Sequence, residues 1–260
     1  TLWKRASNEG AFDAKAYYFA RGFDFAMEGP ALDRKVCAKR QTAEALWQLG
    51  QRIKEVYLKT MGERDAGILA TMVVGDREFL DAETKRLYQI GGLSHILAIS
   101  GLHISVIGMA LYRMLKKAGL PFGMAALAAA GVMYGYGGMA GWGVSVRRAV
   151  LMFLLFLGAQ VSGRSYDTFC ALAFAAVALL WRNPCLFWDA GFRFSFVAIL
   201  GVVWVGQSIS YEKKGMGALR GKIFAASAVW FTTLPLVAWY FYEIPVYAVF
   251  VNLLMLPMMG

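Results

Sequence analysis

Residues 91–107 set polar side chains at the start of a long apolar run, and that combination limits what the chain can fold into. The stretch Gly-Gly-Leu-Ser-His-Ile-Leu-Ala-Ile-Ser-Gly-Leu-His-Ile-Ser-Val-Ile holds both histidines of the protein, His95 and His103, together with three serines and Gly101. Hydrocarbon offers no hydrogen-bond partner, so a membrane helix with these groups must turn them toward other protein or toward water. Such a helix either glues a bundle through interhelical hydrogen bonds or walls a polar path.

The composition requires a membrane setting for that helix. Hydrophobic residues make up 58% of the 260 positions and charged residues 17%, which is too apolar for one or two soluble domains. The expected fold is an all-α polytopic membrane protein, a helical bundle preceded by a polar N-terminal piece. The opening Thr1-Leu-Trp-Lys-Arg5 lacks the apolar segment of a signal peptide, and the last residues stop within another apolar run, so a piece of a longer protein is expected.

Along the chain, residues 1–30 are mixed polar and aromatic, broken by Gly10, Gly22, Gly29 and Pro30, and read as the end of a small extramembrane domain. Residues 31–90 form a second region. Within it Leu46, Leu49, Ile53 and Val56 recur at helical spacing among Arg52, Lys54 and Lys59, the pattern of an amphipathic helix able to lie on a membrane or cover the small domain. The apolar run 66–74 is too short to span and predicts a buried or re-entrant helix, and residues 81–88 predict a short polar one. Residues 91–260 then supply about seven crossing candidates at about 20 residues each, near 93–113, 120–141, 146–163, 166–182, 189–207, 222–241 and 244–260.

The charges between candidates alternate. Arg113, Lys116 and Lys117, then Arg164, then Lys213, Lys214, Arg220 and Lys222 fall on one side, whereas a Gly-rich turn at 137–143, Asn183-Pro184 and Glu243 fall on the other. Basic loops stay cytoplasmic, so residues 1–90 are expected outside a multi-pass cytoplasmic (inner) membrane protein. The net charge of +10 follows partly from that bias. Lys35, Lys39 and Arg40 lie on the side the bias does not explain, and an external basic surface suits a polyanion.

Four constellations carry possible chemistry. Ser100 and His103 share a helix face, as an intramembrane serine hydrolase would require, but no acidic orienter stands near in sequence. The three cysteines have no metal-ligand spacing, so no metal or cofactor is expected. Arg147 and Arg148 open an apolar helix, where they either snorkel to headgroups or meet phosphate bidentately at a pore mouth. Asp189 and Arg193 stand i, i+4 at the start of another helix and predict a helical ion pair. Finally, Pro235, Pro245 and Pro257 break late helices, which membranes tolerate beside cavities.

The block at 92–103, with Gly75-Asp76-Arg77 ahead of it, resembles the signature of the ComEC-type competence proteins. Arg148-Ala149, Gly163-Arg164, Asn183-Pro184, residues 189–196, Leu234-Pro235 and Asn252-Leu253-Leu254 with Pro257 follow in the same order as in that family. Residues 1–30 resemble the end of its external OB-like β domain.

The resemblance implies an inner-membrane channel that takes up single-stranded DNA in natural transformation. The lipid bilayer, a DNA receptor, and a cytoplasmic ATPase or single-strand-binding competence protein are the implied partners. Many relatives carry a metallo-β-lactamase-like nuclease domain; its motif does not occur in this chain, so no catalytic residue and no enzymatic activity are expected here. The DNA path is then expected among Ser94, His95, Ser100, Gly101, His103, Trp142, Arg147, Arg148 and Arg193. An intramembrane hydrolase centred on Ser100 and a secondary transporter of a small anion are the rival readings.

Overall fold

The computed structural model describes residues 41–75, 80–90, 101–208 and 216–241. Every regular element among them is helical, in keeping with an all-α fold. The OB-like remnant expected at 1–30, the external Lys35, Lys39 and Arg40, the Ser94–His95–Ser100 part of the polar block and the candidate at 244–260 lie outside the described residues.

The helices are α1 Gln41–Thr60, α2 Glu63–Val73, α3 Ala82–Ile90, α4 Gly101–Lys117, α5 Phe122–Met139, α6 Val144–Val161, α7 Thr168–Arg182, a 3₁₀ turn Pro184–Trp188, α8 Ala190–Ser208 and α9 Met216–Phe241. Helices α4 to α9 coincide with six of the crossing candidates. By length and apolarity together, α6 is the one helix among the described residues that qualifies on its own to cross a membrane, while α7 and Ala190–Trp204 are apolar but shorter. The reason is local composition. Helix α5 is diluted by five glycines, and α4 closes on Arg113, Lys116 and Lys117.

The described residues fall into two units that divide between Ala171 and Leu172. In the first, α4, α5 and α6 pack pairwise around one core. The sequence dictates this through small residues at helical spacing. Ala125, Ala129, Met133 and Gly137 form one buried stripe on α5; Val146, Ala149, Val150, Phe153 and Leu157 form another on α6. Small side chains let helix backbones approach closely where lipid supplies no hydrophobic drive. At Gly108 a Cβ would stand 2.8 Å from Phe153 Cζ, so the ring of α6 lies directly on the backbone of α4.

The turns between these helices share one construction. At the end of α4, Leu120 N–H donates to Leu115 O and Gly119 N–H to Lys116 O, with Gly119 at φ +88°. This double bond satisfies orphan carbonyls at the helix end and needs a left-handed residue, which glycine adopts without strain. Gly141 and Gly163 repeat it after α5 and α6. Such short turns make packed neighbours antiparallel. Helices α4 and α6 therefore start at the same end, opposite the basic turns at 113–117 and 164.

Helix α1 packs on α2 and α5 through the side that carries Gly50. Leu46 rests on Gly138, Gly50 approaches Val74 and Met139, and Lys54 is buried, while Leu49 and Val56 are exposed. Gly50 has no side chain to hold its neighbours off, so the helix rolls that side inward. Tyr136 Oη donates to Val73 O at 2.9 Å and ties α5 to α2. Helices α2 and α3 are linked by Arg64 Nε, which donates to the buried Thr84 Oγ1 at 3.0 Å.

In the second unit, α8 packs along α9 and against the 3₁₀ turn. Thr232 faces Gly201 across the pair, where a Cβ would collide with its hydroxyl. Both Thr232 and Thr233 donate back to Val229 O, one turn before Pro235, which cannot donate to the carbonyl four residues earlier.

Two outcomes test this packing. Gly108→Val overpacks the α4–α6 contact and lowers stability by about 1–3 kcal/mol; adding Phe153→Leu restores part of the melting temperature in detergent. Asp81 accepts from Thr84 N–H at the start of α3, and its hydrogen bonds with Thr84 hold its carboxyl below the ordinary value. A depressed folded pKa means a stabilising contribution present above the unfolded value and lost as pH falls through the folded one. Protection factors of the α3 amides, taken against the intrinsic exchange rate at each pH, should fall on acidification in the native protein, and Asp81→Asn should remove that pH step.

Candidate functional site at the start of helices α4 and α6

The described part of the polar block sits on the first turns of α4. Gly101 opens the helix, His103 is half-buried, and Ser105 is exposed with its Oγ donating to Gly101 O at 2.9 Å. That bond uses the hydroxyl locally, as serines in apolar helices commonly do.

Helix α6 brings its arginines to the same end. The two adjacent residues separate sharply in burial. Arg147 is exposed, whereas Arg148 is 4% exposed. A Cβ on Gly101 would lie 2.5 Å from Arg148 Nη2 and 3.4 Å from Ala149 Cβ. The guanidinium thus lies against the bare backbone where α4 begins, a position only glycine leaves open. Tyr166 lies within electrostatic reach of Arg148 and packs edge-on against Phe156 at 5.5 Å. No spacing in the sequence joins Tyr166 to this corner; the return of the chain after Gly163 brings it there.

Burying a cation costs several kcal/mol unless its surroundings supply dipoles or charge. Arg148 therefore puts a positive group beside Gly101, in the described part of the polar block, and inside protein. Its planar fork suits oxyanion acceptors such as phosphate.

Trp142 and Arg193, the other described path candidates, are engaged in local contacts. Trp142 follows α5 with φ 52°, and its ring lies on Gly137 and edge-on to Tyr134 at 4.8 Å, so one ring face serves the turn. Arg193 belongs to the second unit. Its Nε donates to Phe187 O at 2.8 Å and its guanidinium lies over the Trp188 ring at 4.8 Å. Asp189 accepts from Phe192 N–H and caps α8. Each member of the expected i, i+4 pair thus has a backbone task at the helix start. No group of three or more metal-ligating side chains occurs among the described residues.

The described residues thus define an all-helical protein with one helix long and apolar enough to cross a membrane and a buried arginine packed at a helix start. A sequence model of the family described as Competence protein matches residues 72–260, and the chain belongs to that family, the ComEC-type competence proteins. It is 27% identical over 191 residues to ComE operon protein 3 of Bacillus subtilis (strain 168), covering 74% of this chain and 24% of that protein. It is 27% identical over 201 residues to Competence protein ComA of Neisseria gonorrhoeae, covering 74% and 28%. Recombination protein 2 of Haemophilus influenzae shows 27% identity over 205 residues, covering 74% and 24%. The chain therefore spans about a quarter of the length of these relatives. No solved structure matches it.

The burial difference gives a direct outcome. Arg148→Ala strips packing from the start of α4 and should lower the melting temperature of the purified protein, at a cost above about 1 kcal/mol. Arg147→Ala at the exposed neighbour should stay within about 0.5 kcal/mol of the native protein.

Proposed function

We propose that the chain forms part of a passage for single-stranded DNA across the cytoplasmic membrane, used when competent cells take up DNA, with the start of α4 as one wall. The observation that carries the reading is the meeting of Gly101 and buried Arg148 inside the segment that matches the competence family. The naming of relatives as competence and recombination proteins supports it.

The chemistry of the wall fits a polyanion in transit. A passage must bind its cargo strongly enough to admit it and weakly enough to release it. Serines and neutral histidines offer hydrogen bonds without a permanent charge, so a phosphate can exchange them for the next. One buried guanidinium supplies attraction, while Arg147, exposed beside it, reaches phosphates before they enter. On this reading the 260 residues conduct and do not catalyse. Lys35, Lys39 and Arg40 hold incoming DNA outside, and the driving force comes from a cytoplasmic ATPase, a single-strand-binding partner or a gradient.

The test is uptake of labelled DNA by cells whose intact protein carries His95→Ala with His103→Ala. Loss of cytoplasmic DNA, with normal membrane abundance and with surface-bound DNA retained, is the expected result; normal uptake would sink the wall. Ser100→Ala in the same assay should reduce uptake only partly, because no nucleophile is required.

A further inference from the structure

One end of the second unit gathers aromatic side chains that its own core does not use. Trp181 at the end of α7 is 88% exposed, Trp188 in the 3₁₀ turn 68% and Trp239 near the end of α9 73%. They are held in a fixed frame. Tyr240 Oη donates to Trp188 O at 3.5 Å, and the Tyr240 ring lies 5.7 Å from Phe194 on α8. Arg193 donates Nε to Phe187 O and lies over the rings of Trp188 and Phe187, at 4.8 and 5.3 Å. Phe187 and Trp188 meet edge to face at 5.7 Å.

We infer that this cluster is a phospholipid seat: the rings sit at the lipid–water boundary and Arg193 holds a headgroup phosphate. The inference rests on the reading of the chain as membrane-embedded, and three observations select lipid over a nucleic acid.

The first is continuity. Below the cluster the unit goes on exposing apolar side chains, Leu200 and Val202 on α8 and Phe224 and Phe231 on α9, a surface that hydrocarbon covers and a polyanion does not. The second is charge. Among the described residues of this end the cations are Arg182 and Arg193, with Asp189 between them; a strand-binding groove needs cations along its whole track.

The third is length. Arg220 and Tyr240 both lie on α9, and their separation along a helix is about 30 Å, the thickness of the hydrocarbon layer. A basic position thus marks one boundary and the aromatic cluster the other. Trp and Tyr prefer that level because an apolar ring and a polar edge are both satisfied there. The guanidinium over Trp188 and Phe187 is held by cation–π attraction and by the Phe187 carbonyl, and it has further N–H donors to offer a phosphate.

The test uses the intact protein with Cys37, Cys170 and Cys185 replaced by Ser, in vesicles of phosphatidylethanolamine and phosphatidylglycerol. Spin labels go singly at Trp188→Cys, Trp239→Cys, Leu200→Cys and Phe231→Cys, and collision with oxygen and with a nickel chelate gives depth. Labels at 188 and 239 are expected at headgroup depth, and those at 200 and 231 in the hydrocarbon. Labels at 188 and 239 in open water, with 200 and 231 deep, would overturn the seat and leave the membrane reading intact. Water around 200 and 231 would overturn both. Protection of 188 by a single-stranded oligonucleotide in place of lipid would convert the cluster into a base-stacking platform and overturn the seat.

Where a substitution fails to insert, the second readout is quenching by lipid brominated near the headgroup in a protein that keeps only Trp181, Trp188 and Trp239 of its eight tryptophans, the others being Phe. It should exceed quenching by lipid brominated at the chain end. Equal or reversed quenching would count against the seat. In native mass spectrometry Arg193→Gln should lose bound phospholipid that Arg182→Gln retains; equal retention would reject the phosphate contact.

Discussion

The first unit depends on backbone contact between α4 and α6. At Gly108 the ring of Phe153 rests on the α4 backbone, and seven residues earlier Gly101 admits the guanidinium of Arg148. Both glycines lie on one face of α4, two turns apart, with the fully buried Ile104 between them. If either gained a side chain, the helices would separate at that level and the other contact would loosen with it. The packing that makes the core and the packing that buries the cation are thus one arrangement. Helix α5 serves it from the side through its alanine stripe.

That arrangement also explains how an arginine comes to stand inside an apolar bundle. A cation facing lipid costs several kcal/mol or must snorkel. Arg148 lies against the α4 backbone at Gly101 and near Tyr166, while its neighbour Arg147 remains exposed. One residue of offset on a helix turns a side chain by about 100°, and that rotation divides the pair into a packed charge and an exposed one.

The helices were legible in the sequence because their signals are local. Apolar runs of the right length, broken by glycine-rich and basic turns, are read from neighbours in the chain. Asp167, which accepts from Cys170 N–H, and Asn183, which accepts from Cys185 N–H, add caps that the apolar pattern alone did not single out. Helix α1 shows where this reading ends. Its periodicity marks an apolar face of Leu46, Leu49, Ile53 and Val56, able to lie on a membrane or cover the small domain, and the face packed within its own unit runs through Leu46, Gly50 and Lys54. Hydropathy cannot see that Gly50 allows a closer approach than Leu49, because the benefit lies in the partner helices. The site was legible in the same partial way. Gly101, His103 and Arg148 were singled out by polarity in apolar surroundings, while Tyr166 follows only from the chain's return after α6.

Arg148 and Arg193, both outside the basic turns, also bear on the charge alternation. The positive-inside bias counts charges in short loops near span ends, and Arg148 and Arg193 would weaken the alternation if they counted as free loop charges. Neither is one. Arg148 is enclosed within its own unit between α4 and α6, and Arg193 is clamped in the other by a carbonyl and two rings. A charge already committed to protein contacts at a helix start does less to hold its end on the cytoplasmic side than a solvated lysine. The alternation expected from the sequence thus rests on the lysines and arginines at 113–117, 164 and 213–222.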